Sequence, residues 1–104
     1  MTGLSTHVLD TALGRPAAGV VVTVAIQKGN GWQELAKAKT DADGRVAALL
    51  EDGPLQRGAT YRLRFEVATP FYPYVEVVFT AADDRHHHVP LLISPFGYST
   101  YRGS

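Results

Sequence analysis

The four histidines are the residues of this chain with the clearest capacity for chemistry. Three of them, His86, His87 and His88, are consecutive, and His7 lies near the N-terminus. Alternate side chains of a strand point to opposite faces, so His86 and His88 would share one face and His87 would lie on the other. An imidazole that is partly desolvated beside an apolar face has a pKa that can be adjusted around neutrality. The pattern is therefore compatible with a general base on this strand.

The same histidines allow two other interpretations. A His-x-His pair on a strand directs two imidazoles the same way, and His7 could supply a third ligand for zinc. No Asp or Glu within the strand offers a further ligand, and two-histidine spacing alone is a weak metal signal. In the second interpretation the three consecutive histidines are simply exposed to solvent at the start of a strand and form no functional site. The residue pattern leaves these interpretations open.

Arg45 and the C-terminal residues are two further sources of polar groups. Arg45 follows a tight turn at Asp43-Gly44, and most arginines in such positions are simply exposed. Its guanidinium could equally hold a planar, carbonyl-rich ligand through paired hydrogen bonds. The segment from Tyr98 to Ser104 contains several hydroxyl groups and Arg102, although the ends of chains usually fray.

The composition restricts the class of protein. A chain of 104 residues, 45% hydrophobic and 19% charged, predicts one globular domain over residues 1–104. Ten basic and ten acidic residues argue against a nucleic-acid partner. The absence of cysteine excludes disulfides and thiolate chemistry and fits a reducing compartment. Since no stretch resembles a signal peptide or a membrane span, we expect a cytoplasmic protein with no membrane partner.

Short apolar segments separated by turn residues predict the elements that must position these groups. Strands are expected around residues 6–11, 20–27, 32–40, 45 onward, 61–67, 74–80, 86–93 and 97–102. Only 49–55 could hold a short helix, which Gly53-Pro54 would end. The pattern predicts an all-β sandwich of two packed antiparallel sheets. Both faces of the strand that reaches Ile93 are apolar, so one face is expected to contact another subunit.

Motifs along nearly the whole chain resemble those of the transthyretin-related 5-hydroxyisourate hydrolases. They are the segments 4–10 (LSTHVLD), 14–17 (GRPA), 40–45 (TDADGR), 71–73 (FYP) and 88–104 (HVPLLISPFGYSTYRGS). The closing Tyr-Arg-Gly-Ser tetrapeptide is the most specific, because it separates the hydrolases of this family from transthyretin, the hormone carrier.

The resemblance implies a transthyretin-like sandwich of two four-stranded antiparallel sheets with little or no helix. It implies a homotetramer, a dimer of dimers, with sites at the dimer–dimer interface. The expected reaction hydrolyses 5-hydroxyisourate to 2-oxo-4-hydroxy-4-carboxy-5-ureidoimidazoline without a metal or other cofactor. The residues carried over are His7, Arg45, His88 and Ser104 as catalytic, and Tyr101, Arg102 and Gly103 as substrate-binding. The alternative is a transthyretin-like protein that binds a small ligand in the same channel.

Two positions depart from the family pattern. His87 stands where relatives usually have tyrosine, and because it should point away from the channel no function is carried to it. The connection over 67–70, between Glu66 and Phe71, is shorter than in most relatives, which have a short helix there. The second departure bears on the packing of that edge and on the stability of the tetramer.

Overall fold

The computed structural model of this chain describes residues 3–50, 55–83 and 85–103. These residues form strands and no helix, so the described part of the chain contains no helix that is long and apolar enough to cross a membrane. The strands are β1 (Leu4–Asp10), β2 (Arg15–Pro16), β3 (Val21–Lys28), β4 (Gly31–Lys39), β5 (Arg45–Leu50), β6 (Thr60–Phe65), β7 (Val75–Thr80), β8 (His87–His88), β9 (Leu91–Ser94) and β10 (Gly97–Thr100).

The first sheet contains four antiparallel strands in the order β4-β3-β6-β7. Its formation follows from the alternation of apolar and charged residues along β6. Tyr61, Leu63 and Phe65 are buried, whereas the intervening arginines are only half-buried. Leu63 pairs with Val24 on β3 and with Val77 on β7. Three strands therefore present an apolar side chain at the same level of the core.

The second sheet contains six strands with β1 at its centre. β1 pairs antiparallel with β2 and β5 and parallel with β8 and β9, and β10 pairs antiparallel with β9. The all-β sandwich of two sheets expected from the sequence is confirmed. The expected four antiparallel strands describe the first sheet, whereas the second is mixed and includes two strands, β2 and β8, of only two residues.

The strand expected over 86–93 is divided into β8 and β9 at Val89-Pro90. Proline has no backbone N–H and cannot donate to a strand ladder. Two hydrogen bonds keep the segment alongside β1 in spite of this break. The Val89 amide donates to the Ser5 carbonyl at 3.1 Å, and Thr6 Oγ1 donates to the Val89 carbonyl at 2.6 Å.

The core lies between the two sheets. Phe65, Leu63 and Leu91 are among its largest side chains, each less than 2% exposed. Burying a side chain of this size stabilises the fold by about 1.5–3 kcal/mol. Leu4 and Val8 bring β1 into the same core, since both are 0% exposed. The central strand of the second sheet is thereby fixed in register, and its outward-facing side chains are fixed with it.

Two local expectations concern the connections between strands. Leu49 and Leu50 belong to β5 rather than to the short helix considered over 49–55, and residues 51–54 lie outside the described residues. The short connection over 67–70 contains no helix. It leads into a turn in which the Thr69 amide donates to the Tyr72 carbonyl at 2.9 Å. The Tyr72 ring packs edge-on against Tyr98, with the ring centroids 5.2 Å apart. This contact ties the connection to β10.

Candidate active site

The outer face of the second sheet holds the polar residues that the sequence singled out. On β1, Leu4, Thr6 and Val8 are buried against the core. The alternation of a strand therefore turns Ser5 and His7 to the opposite, outer face. The core-facing residues of β1 thus determine where His7 can point.

Arg45 lies beside His7, because the two residues are direct partners in the antiparallel pairing of β1 with β5. Side chains of directly paired residues lie on the same face of a sheet. The turn before Arg45 is held by Asp41, whose Oδ1 accepts from the amides of Asp43 and Arg45, each at 2.9 Å. Gly44 has φ +73°, and a Cβ there would lie 2.5 Å from the Val8 carbonyl oxygen. Only glycine fits this turn, which delivers the Arg45 guanidinium to the outer face.

His88 reaches the outer face from the other side of β1, where it pairs with Ser5 in parallel register. Its Nδ1 lies 2.8 Å from Ser5 Oγ. The same hydroxyl lies 2.7 Å from Nε2 of His86. Ser5 is 8% exposed, so its hydroxyl is enclosed between the two imidazoles. The sequence did not single out Ser5, although its position two residues before His7 on a strand was the available signal.

The environment of His88 disfavours its charged form. Burial lowers the pKa of His88 below its ordinary value. Electrostatic interactions with His7, Arg45 and His86 lower this pKa further. The structure therefore brings His7, Arg45 and His88 together on one face, with His88 neutral at physiological pH.

Residues Tyr101–Gly103, here called the C-terminal segment, lie against His88. The Gly103 amide donates to the His88 carbonyl at 2.7 Å. The two residues form an isolated antiparallel β-bridge. The Tyr101 side chain is exposed. Ser104 lies outside the described residues.

Arg102 is held by a carboxylate on the loop before β8. Its Nη2 donates to Oδ1 of Asp83 at 3.1 Å, and its Nη1 lies 3.3 Å from Oδ2. Arg85 also donates to Asp83, from Nη2 at 3.1 Å. The hydrogen bond from Arg102, followed by those from Arg85, holds the pKa of Asp83 well below its usual range. In this structure the guanidinium of Arg102 therefore contacts protein and anchors the C-terminal segment.

His87 points into the sandwich, as the alternation predicts, and is 2% exposed. Its Nδ1 lies 2.8 Å from the Arg85 carbonyl oxygen. Since a carbonyl only accepts, Nδ1 carries the proton. The ring stacks on Phe79 with centroids 6.1 Å apart. His87 thus packs the core side of the sheet whose outer side carries His88.

No metal centre is formed by the described residues. Among them, no group of three or more His, Asp or Glu side chains is arranged to hold a metal ion. The zinc interpretation of the His-x-His spacing requires such a group. The geometry of the described residues therefore gives that interpretation no support.

Comparisons with known proteins agree with one another on the relationship of this chain. The family model described as "HIUase/Transthyretin family" matches residues 4–103. The 5-hydroxyisourate hydrolase of Caulobacter vibrioides is 48% identical to this chain over 117 residues, with 100% of both chains covered. The enzyme of the same name from Deinococcus radiodurans is 47% identical, with 98% of this chain and 96% of the relative covered.

Two solved structures share the fold. Sea bream transthyretin in complex with thyroxine has a TM-score of 0.86 and 32% identity, covering 96% of this chain and 93% of its own. The 5-hydroxyisourate hydrolase of Klebsiella pneumoniae has a TM-score of 0.80 and 35% identity, with 100% of both chains covered. On these matches, together with the face formed by His7, Arg45 and His88, the chain belongs to the HIUase/Transthyretin family.

Proposed function

We propose that this protein hydrolyses 5-hydroxyisourate to 2-oxo-4-hydroxy-4-carboxy-5-ureidoimidazoline in urate degradation. The observation that carries the proposal is the position of His7, Arg45 and His88 on one face of the second sheet. The hydrolysis needs a base for water, a positive group for the carbonyl oxygen and a proton for the departing nitrogen. These three residues offer one guanidinium and two imidazoles. Relatives with 48% and 47% identity that bear the name of this enzyme support the same substrate.

His88 is the general base of the proposed reaction. It removes a proton from water as the water oxygen forms a bond to a ring carbonyl carbon. The carbon–nitrogen bond of the ring then breaks, and the departing nitrogen takes up a proton. Base catalysis of this kind contributes about 10²–10⁴-fold. The lowered pKa of His88 supports this role, because its lone pair is available at pH 7.

Arg45 binds the substrate in this proposal and stabilises the negative charge that develops on the carbonyl oxygen. Its guanidinium is always charged and presents paired donors to planar acceptors. Loss of a comparable donor costs about 3–4 kcal/mol of barrier stabilisation in other enzymes. His7, the direct strand partner of Arg45, orients the water or returns the proton to the departing nitrogen.

The C-terminal segment closes the proposed site. Tyr101, Arg102 and Gly103 are its substrate-binding residues, and Ser104 would form hydrogen bonds near the reacting centre. The hydrogen bond from the Gly103 amide to the His88 carbonyl supports this arrangement. The contact of Arg102 with Asp83 adds a positioning role for the same guanidinium. The role of Ser104 depends on the family motif alone.

The proposed enzyme is a cytoplasmic homotetramer that needs no cofactor, with its sites at the dimer–dimer interface. Leu9 and Leu92 are directly paired and only half-buried on the outer face. An apolar flank beside a polar site favours contact with another subunit. Light scattering after size exclusion should give four times the chain mass of 11.3 kDa. A monomeric mass for an active protein would contradict this part of the proposal.

A second candidate is a small-ligand carrier that uses the same face, favoured by the similarity to sea bream transthyretin in complex with thyroxine. The charged Arg45 and the two imidazoles argue against an apolar ligand, because burying unpaired polar groups is unfavourable. The two candidates differ in whether the bound molecule is converted.

The ultraviolet decay of freshly generated 5-hydroxyisourate, with and without the protein, tests the proposed function. We expect faster decay that survives a chelator. Faster decay that is lost on chelation would contradict the proposed mechanism and would indicate a metal-dependent hydrolysis. If the folded protein does not accelerate the decay but binds thyroxine in calorimetry, the carrier function would be supported and the hydrolase function contradicted.

A further inference from the structure

We propose that Ser5 is a positioning residue that links His86 to His88 and fixes which nitrogen of His88 carries the proton. The three residues are called the Ser5 relay. In its working state Ser5 donates to His86 and accepts from Nδ1–H of His88, which leaves the lone pair of the base on Nε2. The relay deepens the proposed hydrolase function and rests on it for its catalytic meaning.

The geometry of Ser5 leaves its hydroxyl few alternatives. Its Oγ lies 2.7 Å from His86 Nε2 and 2.8 Å from His88 Nδ1, both short hydrogen-bond distances. The Ser5 carbonyl accepts from the Val89 amide at 3.1 Å, so the backbone holds the side chain in place. At 8% exposure, the hydroxyl bonds to the two imidazoles rather than to bulk water.

The direction in which the Ser5 hydroxyl donates its hydrogen determines which nitrogen of His88 carries the proton. A hydroxyl has one hydrogen and two lone pairs, and the partners of Ser5 Oγ are the two imidazoles. The Ser5 hydrogen is used only if the hydroxyl donates to one imidazole and accepts from the other. If Ser5 donates to His86 Nε2, it accepts from His88 Nδ1–H, and Nε2 of neutral His88 is free to act as a base. If Ser5 donates to His88 Nδ1, the proton of neutral His88 must lie on Nε2, and His88 cannot take a proton from water.

The charges around His88 favour the working state. Among the described residues, the titratable and charged groups that face it are His7 on β1, Arg45 on β5 and His86, none of them a carboxylate. Arg45 donates hydrogen bonds and accepts none. A lone pair on the outer nitrogen of His88 is favourable beside such donors, whereas a second N–H is not. His86 is exposed, so it can keep its own proton on Nδ1, where water accepts it.

Nitrogen-15 NMR of histidine-labelled protein, without substrate, tests the relay apart from the reaction. At pH 8 we expect an unprotonated Nε2 and a protonated Nδ1 for His88, assigned by the loss of its signals in His88→Asn. In Ser5→Ala this preference should disappear. A protonated Nε2 in the wild type, or the same tautomer in Ser5→Ala, would overturn the relay whether or not the protein hydrolyses 5-hydroxyisourate.

Kinetic variants provide the second arm. Ser5→Ala should lower kcat about 10–100-fold with little change in KM, by analogy with the loss seen when hydrogen-bond partners that orient metal-bound histidines are removed. Ser5→Thr, which keeps the hydroxyl, should restore most of kcat. His86→Gln keeps an acceptor at the Nε2 position and should exceed His86→Ala in kcat. A wild-type kcat in Ser5→Ala would contradict the relay, whereas a wild type without any activity would contradict the proposed function instead.

Discussion

Gly103 lies so close to the imidazole of His88 that a Cβ at position 103 would be 2.5 Å from His88 Cδ2 and 3.2 Å from Cγ. Real Cβ atoms essentially never approach another heavy atom so closely. The amide of the same residue donates to the His88 carbonyl. The glycine therefore lets the C-terminal segment cover the edge of the proposed base.

Gly103→Ala should displace the C-terminal segment from His88. Since the new methyl group cannot share the space of the imidazole, we expect kcat/KM to fall at least tenfold, an effect typical of misplaced catalytic groups. Thermal unfolding should change little, because the position lies outside the hydrophobic core. The matched control is Gly97→Ala, whose Cβ would meet Ser94 Oγ at an ordinary 3.6 Å. Equal kinetics in the two variants would contradict a role for the close contact.

Asp83 and Arg102 should behave as one unit in a double-mutant cycle. Removing either partner by Asp83→Ala or Arg102→Ala frees the C-terminal segment, and we expect at least a tenfold loss of kcat/KM from each single change, with the larger loss from Arg102→Ala because it also removes the proposed substrate contact. Because the lost pair is the same, the double variant should be no worse than Arg102→Ala alone. Arg85→Ala keeps the Arg102–Asp83 pair and should stay near wild type. Additive losses would show instead that the two residues act separately and would contradict the positioning role of the pair.

The lowered pKa of His88 predicts the acid limb of the pH profile. As pH falls through the ordinary histidine range, neutral His88 persists, so kcat/KM should drop only at lower pH. Arg45→Gln removes a positive neighbour and should move the limb of its residual activity to higher pH. Because the pKa of His88 is lower in the folded protein than in the unfolded chain, the unfolded chain takes up this proton at higher pH. The contribution of His88 to folding stability is therefore fully present above the unfolded pKa and is lost as pH falls through the folded pKa. A limb at higher pH than that of an ordinary histidine would contradict the predicted direction.

Leu63→Ala tests the core that fixes the position of β1. Leu63 is 0% exposed, and truncation of such a residue costs about 2–5 kcal/mol of unfolding free energy. Leu35→Ala is the control, because Leu35 is 40% exposed and should change stability by about 0.5 kcal/mol or less. Urea unfolding followed by fluorescence measures both. Similar midpoints for the two variants would contradict the assigned core.

The sequence predicted those parts of the fold that local patterns determine. Tyr61, Leu63 and Phe65 alternate with arginines, and this period of two is sufficient to predict β6 and its buried face. The same rule separated His87 from His88, which lie on opposite faces of the second sheet. The turn before Arg45 was visible from Asp43-Gly44, because few residues other than glycine adopt its positive φ.

Contacts between distant parts of the chain could not be predicted in the same way. The parallel pairing of β1 with β9 joins Val8 to Leu91, and no local pattern encodes which strands become neighbours. Pro90 divides one expected strand into two because it lacks an amide hydrogen. Ser5 meets His86 across 81 positions of sequence, so its role becomes visible only when both strands are in place. The residue pattern raised His7, Arg45 and His88 as candidates but left their roles open, and the family resemblance assigned them.

The most direct test of the account compares the initial rate of 5-hydroxyisourate disappearance for wild type and His88→Asn at equal concentration and neutral pH. Asparagine keeps a polar group near the Nδ1 position, where it can bond Ser5, but it lacks the second nitrogen that acts as the base. We predict that wild type accelerates the decay and that the variant, assembled to the same mass, loses about 10² of that acceleration. A folded, equally assembled His88→Asn protein with the wild-type rate would contradict the assignment of His88 as the base.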